Sequence, residues 1–218
     1  MTASNKDAYL QPYREAQGQH GSAFDVTMWA RPETQRLRFK VFAETINLRN
    51  KRLLDAGCSR GDLAEWLLEH GHDYAHYHGV DGLDDVVSFA RTRGLERASF
   101  AAGDFVNQPE LLAETQPDIT LISGTLNTMD DDTALRVLEA AWAGCREALV
   151  FNFLSDTCGP HAVPQQYPAH RLPTRKLLDW ALDKTPYVVL RQDYFRDGHD
   201  ATIVMRTTLG DPTTATPA

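Results

Sequence analysis

Apolar positions along the chain follow two alternating rhythms. Short, nearly continuous apolar runs occupy residues 53–55, 77–81, 98–102, 118–124 and 148–153. Between them, apolar residues recur at helical spacing. Leu63, Trp66, Leu67 and His70 fall at i, i+3, i+4 and i+7, then come Val86, Phe89 and Ala90, then Leu135, Leu138 and Trp142. The first rhythm is that of strands covered on both faces, the second that of amphipathic helices. The punctuation agrees. Gly71 and Gly94 stand where two helices end, and Asp84 and Asp85 suit a first helical turn. Asp130, Asp131 and Asp132 cap a long helix that runs to Cys145. Short helices are predicted over 109–115 and 174–182. Strands over 187–194 and 201–207 flank a turn containing Asp197-Gly198 and read as a hairpin.

Five strands alternating with helices predict an α/β fold with a parallel, doubly wound sheet. The terminal hairpin raises the count to seven strands and makes one of them antiparallel. Ligands of such sheets lie outside the carboxyl ends of the strands, at the switch point. Residues 1–22 are polar, carry no period and read as a flexible or loosely docked extension. Residues 23–50 read as a helical lid. There Leu37, Val41, Phe42 and Ile46 make an apolar face among Arg31, Arg36, Arg38 and Lys40, and Pro32 sits near the helix start. The main domain spans 51–207, and the Thr/Pro/Ala-rich residues 208–218 read as a disordered tail.

Charge narrows the partners. The formal net charge is −8, with no Lys/Arg run, so a phosphate backbone is repelled and nucleic acid is not expected. No apolar run approaches membrane-spanning length, and residues 1–7 lack a signal-type apolar core. Cys58, Cys145 and Cys158 are odd in number and lack C-x-x-C spacing, which fits reduced thiols in a cytoplasm. Oligomeric state leaves no mark in the sequence.

The chemistry concentrates in residues 53–62, Leu-Leu-Asp-Ala-Gly-Cys-Ser-Arg-Gly-Asp. A strand ends in an acid, a glycine-spaced loop follows, and a helix begins. Gly57 and Gly61 let the backbone turn sharply and lie close to a ligand. The helix start favours an anionic group. A dinucleotide site of G-x-G-x-x-G type would need glycine at 59 and glycine or alanine at 62, where Ser59 and Asp62 stand. Asp55, Gly57 and Gly61 instead match D-x-G-x-G-x-G, with Ser59 at the middle glycine. This resembles the first motif of class I S-adenosylmethionine-dependent methyltransferases.

The resemblance extends over residues 51–207. It implies a Rossmann-like sheet and S-adenosylmethionine as methyl donor, with S-adenosylhomocysteine as product. Asp81 comes 20 positions after Gly61 (81 minus 61) at the end of the second strand, where a carboxylate accepts from a ribose diol. Asp104, ending the third strand, can accept from the adenine amine. Leu83 or Phe105 can sandwich the base. Cys58 and Gly82 contribute loop backbone, and Ser123 closes the fourth strand. Arg38 is a candidate for the carboxylate of the methionine moiety. A narrower resemblance, carried by residues 29–39, 123–127 and 152–155, is to a bacterial methyltransferase group of small-molecule type without an assigned substrate.

No [N/D]-P-P-[Y/F] follows the fourth strand, as it does in amino-directed DNA enzymes, and no Pro-Cys as in pyrimidine-carbon enzymes. A small-molecule acceptor is therefore expected. Candidate catalytic groups are His170, His161 and Asn127. A binding protein without catalysis and a nicotinamide oxidoreductase remain as alternatives. His70, His72, His76 and His78 cluster in sequence without a carboxylate at ligand spacing, so no metal site is assigned.

Overall fold

The computed structural model describes residues 7–209. The first part of the expected extension, residues 1–6, and most of the expected tail, residues 210–218, lie outside the described residues. Helix α1 (Gln11–His20) and a 3-10 turn (Phe24–Thr27) lead into α2 (Pro32–Thr45). There follow β1 (Arg52–Ala56), α3 (Asp62–Glu69), β2 (His76–Asp81), α4 (Asp84–Thr92) and β3 (Ala98–Ala102). The second half holds β4 (Ile119–Ser123), α5 (Asp131–Gly144), β5 (Ala148–Leu154), α6 (Thr174–Lys184), β6 (Val188–Arg191) and β7 (Asp200–Arg206).

The seven strands form one sheet of order β3-β2-β1-β4-β5-β7-β6. Neighbours among β1 to β5 pair in parallel. Strand β7 inserts between β5 and β6, antiparallel to both. The doubly wound α/β fold with a terminal hairpin is as expected from the sequence. The inserted antiparallel strand separates it from the 3-2-1-4-5-6 order of dinucleotide-binding sheets. The order in which strands are added reverses between β1 and β4, and that switch point opens the crevice.

Alternate strand residues feed two cores. Leu53, Tyr77, Leu121, Val150 and Val204 pack under α2, α3 and α4. Leu54, Val80, Ile122, Phe151 and Ile203 pack under α5 and α6. Every residue of β5 is buried, which explains an apolar run broken only by Asn152.

Three segments differ from the sequence expectation. The helix over 109–115 is a single 3-10 turn, Pro109–Leu112. Helix α2 buries Val41 and Phe42 of the expected face together with Gln35, Arg38 and Phe39, while Leu37 and Ile46 are only half-buried. Two polar residues also belong to its inner face because they meet a cavity and a buried acid, which apolar spacing alone does not mark. Residues 8–20, without a period in the sequence, include α1 and a buried Tyr9. Among the histidines, His70 and His72 stack on Trp66 with centroids 4.2 and 5.8 Å apart. His76 and His78 both reach the Ser99 hydroxyl. Among the described residues, no group of three His, Cys, Asp or Glu side chains could hold a metal, and no helix is long and apolar enough to cross a membrane.

The start of α5 carries a testable cap. Asp130 accepts from the Thr133 N–H at 2.7 Å, and its hydrogen bonds with Thr133 hold its carboxyl below the usual range. Asp130→Ala is expected to cost about 1 kcal/mol of stability near neutral pH. A depressed carboxyl stabilises the fold above its unfolded value and loses this as pH falls through its folded one. Urea denaturation should therefore show the cost shrinking in acid. A cost that persists in acid would mean the loss is not that of an ionised cap.

Candidate functional site

A cavity of about 560 Å3 lies at the carboxyl ends of β1, β2 and β4. The loop after β1 forms its floor. Gly57 has φ +86°, and a Cβ there would lie 2.1 Å from the Thr125 hydroxyl. Gly57 and Cys58 both donate their N–H to the Val80 carbonyl, at 2.8 and 3.2 Å. Ser59, in the middle-glycine position, has φ +46°. It therefore keeps the left-handed backbone that glycine adopts more readily. Its N–H donates to Asp81 Oδ2 at 2.9 Å, while the Leu83 N–H donates to Oδ1 at 3.0 Å. One carboxylate thus ties the β1 loop to the β2 loop. Burial pushes the Asp81 carboxyl up, against the pull of the N–H groups of Ser59, Leu83 and Gly82.

Asp55 is buried at the end of β1. Its Oδ2 accepts from the Tyr77 hydroxyl, and its Oδ1 is buried without a partner. Burial raises its carboxyl to about 7. The Tyr77 hydroxyl opposes this, and Asp81 and Asp62 add to it. Burial, followed by Asp81 and Asp55, pushes the Cys58 thiol well up, so that thiol is no ready nucleophile. Ser123 lines the cavity and its hydroxyl accepts from Asn152 Nδ2 at 3.3 Å. Leu83 and Phe105, both buried, and Gly82 line it too.

Two candidates have protein partners that the sequence did not suggest. Asp104 accepts from the Tyr9 hydroxyl, from the N–H groups of Val106 and Asn107, and from Asn107 Nδ2 at 2.8 Å. Burial raises its carboxyl, but the Tyr9 and Asn107 bonds outweigh that and hold it below the usual range. Arg38 does not present a free cation. Its Nη2 pairs with Asp200, its Nη1 donates to the Thr34 carbonyl at 2.7 Å, and the residue is 3% exposed. The guanidinium lies between Trp29 and Phe195, 4.1 and 4.4 Å from the ring centroids.

The histidine candidates stand away from the cavity wall. His161 is exposed, and its N–H donates to Asp197 at 2.7 Å. The His170 N–H donates to the Asn127 carbonyl at 2.9 Å. Asn127 itself lines the cavity, with Oδ1 accepting from the Leu154 N–H at 2.9 Å. The wall's histidine is His199, which sequence reasoning missed, along with Tyr9, Tyr13 and Phe195. His199 and Asp200 sit directly after the hairpin's Asp-Gly turn, where sequence signals only a reversal. Tyr9 and Tyr13 lie in a segment with no period to mark an inward face.

Residues 53–147 match the family model described as a methyltransferase domain. Among curated proteins, none is significantly similar to this chain. Among solved structures, the phosphoethanolamine N-methyltransferase 1 of Haemonchus contortus, with phosphoethanolamine and S-adenosylhomocysteine, superposes at TM-score 0.69. It is 14% identical and covers 97% of this chain and 51% of its own. The magnesium protoporphyrin IX methyltransferase of Synechocystis PCC 6803 with bound S-adenosylmethionine gives 0.65 at 13% identity, covering 95% of this chain and 100% of its own. A S-adenosylmethionine-dependent methyltransferase of Archaeoglobus fulgidus gives 0.58 at 15%, covering 84% and 97%. At these identities the likeness is one of fold.

The Tyr77–Asp55 bond has a pH signature. An ordinary carboxyl titrates near about 4, so the folded value for Asp55 is the higher one. Its contribution favours the folded state in acid and is lost as pH rises through about 7. Tyr77→Phe removes the hydroxyl that holds the ionised form. The expected cost is about 1–3 kcal/mol at about pH 8, and less at about pH 5, where Asp55 carries a proton. Urea denaturation at both values checks this, and equal costs would refute the assigned ionisation.

Proposed function

We propose that this class I S-adenosylmethionine-dependent methyltransferase delivers its methyl group to a small molecule held in the same cavity as the cofactor. The observation that carries the reading is the covering of the crevice. Leu10 and Tyr13 of the N-terminal segment, Val26 to Arg31, and Val163 to Ala169 all contribute to the wall. Gly82 lies so near Leu10 that a Cβ would come within 2.8 Å of it, and Trp29 lies as close over Gly124. The space of about 560 Å3 is of the size that holds small ligands, and a polymer would have to displace these segments.

The residues present fit the cofactor. The buried, unpartnered Asp55 Oδ1 is what a ligand lying against the loop would meet, and the missing Cβ of Gly57 lets Thr125 close against that loop. In this reading the first-turn N–H groups of α3 and the backbone of Cys58, Ser59 and Gly61 face the amino-acid tail. Asp81, with one backbone N–H on each oxygen, has lone pairs left for the ribose hydroxyls. Leu83 and Phe105 flank the base, and Asp104 receives its amine beside the Tyr9 hydroxyl. Arg38, committed to Asp200, is not assigned the carboxylate. Residues 23–50 serve as the lid, joined by α1. The bound cofactor supplies a sulfonium methyl that an acceptor lone pair takes in line as the carbon–sulfur bond breaks. The protein's part is to position the acceptor and exclude water.

Two measurements test this. With methyl-labelled S-adenosylmethionine and a cell extract separated by size, label is expected in the small-molecule fraction. Label confined to protein or nucleic acid would overturn the acceptor reading. Asp81→Ala is expected to weaken S-adenosylhomocysteine about 10- to 100-fold by calorimetry, since two hydroxyls lose a charged acceptor. Unchanged affinity would remove Asp81 from the ribose.

A further inference from the structure

Resting on the cofactor and small-molecule reading above, the wall formed by α2, residues 163–169 and the turn before β7 bears on what the acceptor is. Its buried cations are spent. Arg38 is answered by Asp200 and packed between two rings. Arg171 donates Nη1 to the carbonyls of Ser155 and His199, at 2.7 and 3.0 Å. Its Nη2 goes to the Val163 carbonyl at 2.8 Å and to His199 Nδ1 at 3.0 Å. Arg31 stands on the exposed rim. The carboxylates of the cavity lie on its other side and are engaged by protein donors: Asp62 by Arg93, and Asp55, Asp81 and Asp104 as described.

The groups left over are neutral. A guanidinium only donates, so His199 Nδ1 must accept and the imidazole proton sits on Nε2. Burial, then Arg171 and Arg38, lower the imidazole to about 4 against the opposing pull of the Val163 carbonyl, so it stays uncharged near neutrality. Asn127 Oδ1 is fixed by the Leu154 N–H, which leaves its Nδ2 without a partner among the described residues. Gln35 is 7% exposed, lines the cavity, and its amide makes no hydrogen bond among the described residues. An amide in this state is free to pair with a ligand that enters the cavity. Two fixed donors disfavour a cationic group, and an anion buried here would have no cation to answer it.

We propose that this chamber selects an uncharged, ring-bearing acceptor whose oxygen takes hydrogen bonds from Asn127 Nδ2 and His199 Nε2–H. Gln35 supplies the third, adaptable partner, and Trp29 and Phe195 supply the flat wall. His199 is a specificity-determining donor and not the base.

The test uses the full chain saturated with S-adenosylhomocysteine and three probes of one ring size: phenol, benzoate and benzylammonium. Phenol is expected to bind at least tenfold more tightly than either charged probe, by calorimetry or ligand-observed NMR. His199→Leu should weaken phenol about tenfold with S-adenosylhomocysteine affinity retained, and His199→Gln, which keeps a donor, should recover most of it. The imidazole nitrogen spectrum should report a neutral ring protonated on Nε2 throughout. Charged probes binding as well as phenol, no probe binding to the loaded protein, or a proton on Nδ1 would each overturn the proposal. Failure to bind S-adenosylhomocysteine at all would instead overturn the cofactor reading beneath it.

Discussion

The site depends on one carboxylate placed between two loops. Asp81 ends β2, and its two oxygens accept from Ser59 on the loop after β1 and from Leu83 on its own loop. Both loops leave the sheet at neighbouring strands, and neither has a ladder partner to hold it there. A charged acceptor with two backbone donors is stronger than a neutral pair, and burial raises the cost of leaving it unmet. The Gly57 and Cys58 N–H groups close the same junction from the other side, on the Val80 carbonyl. This tie also explains how a serine serves in the middle of a glycine loop. Ser59 bears a left-handed backbone because its N–H is already claimed.

A second tie closes the molecule over that floor. Arg38 on α2 and Asp200 on β7 are 162 residues apart in sequence and almost fully buried. A buried pair of this kind adds little net stability over apolar packing, but losing one member leaves a charge without an answer. Its effect here is placement. It docks α2 against the last inserted strand and puts Trp29 and Phe195 around the guanidinium. The N-terminal segment then lies over the carboxyl ends of β1, β2 and β4. The same pair holds the buried Arg38 guanidinium to a protein carboxylate rather than leaving it to a ligand.

The division of the molecule follows from these two ties. The half of the cavity built by residues 53–147, which match the methyltransferase-domain model, is rich in carboxylates held by backbone and tyrosine donors. The half built by α2, the loop before α6 and the turn before β7 is aromatic and carries neutral polar groups. One sheet edge thus supplies the carboxylates, while segments outside residues 53–147 supply the aromatic and neutral polar groups.

Sequence by itself determined the seven strands, their doubly wound order and the glycine loop. Each of these rests on local signals: apolar runs in strands covered on both faces, helical spacing, and residues that permit a turn. It also placed Asp55, Asp81, Asp104 and Ser123 at strand ends, because parallel strands deliver such residues to one edge. Tertiary structure alone decided which charges are free. The pairing of Arg38 with Asp200 and of Tyr9 with Asp104 joins residues 162 and 95 positions apart, and no local rhythm encodes such a meeting. For the same reason the inward histidine was His199 rather than His161 or His170. A loop residue's direction is set by what packs beneath it, here Arg171 holding one ring nitrogen, and that partner arrives only when the chain has folded.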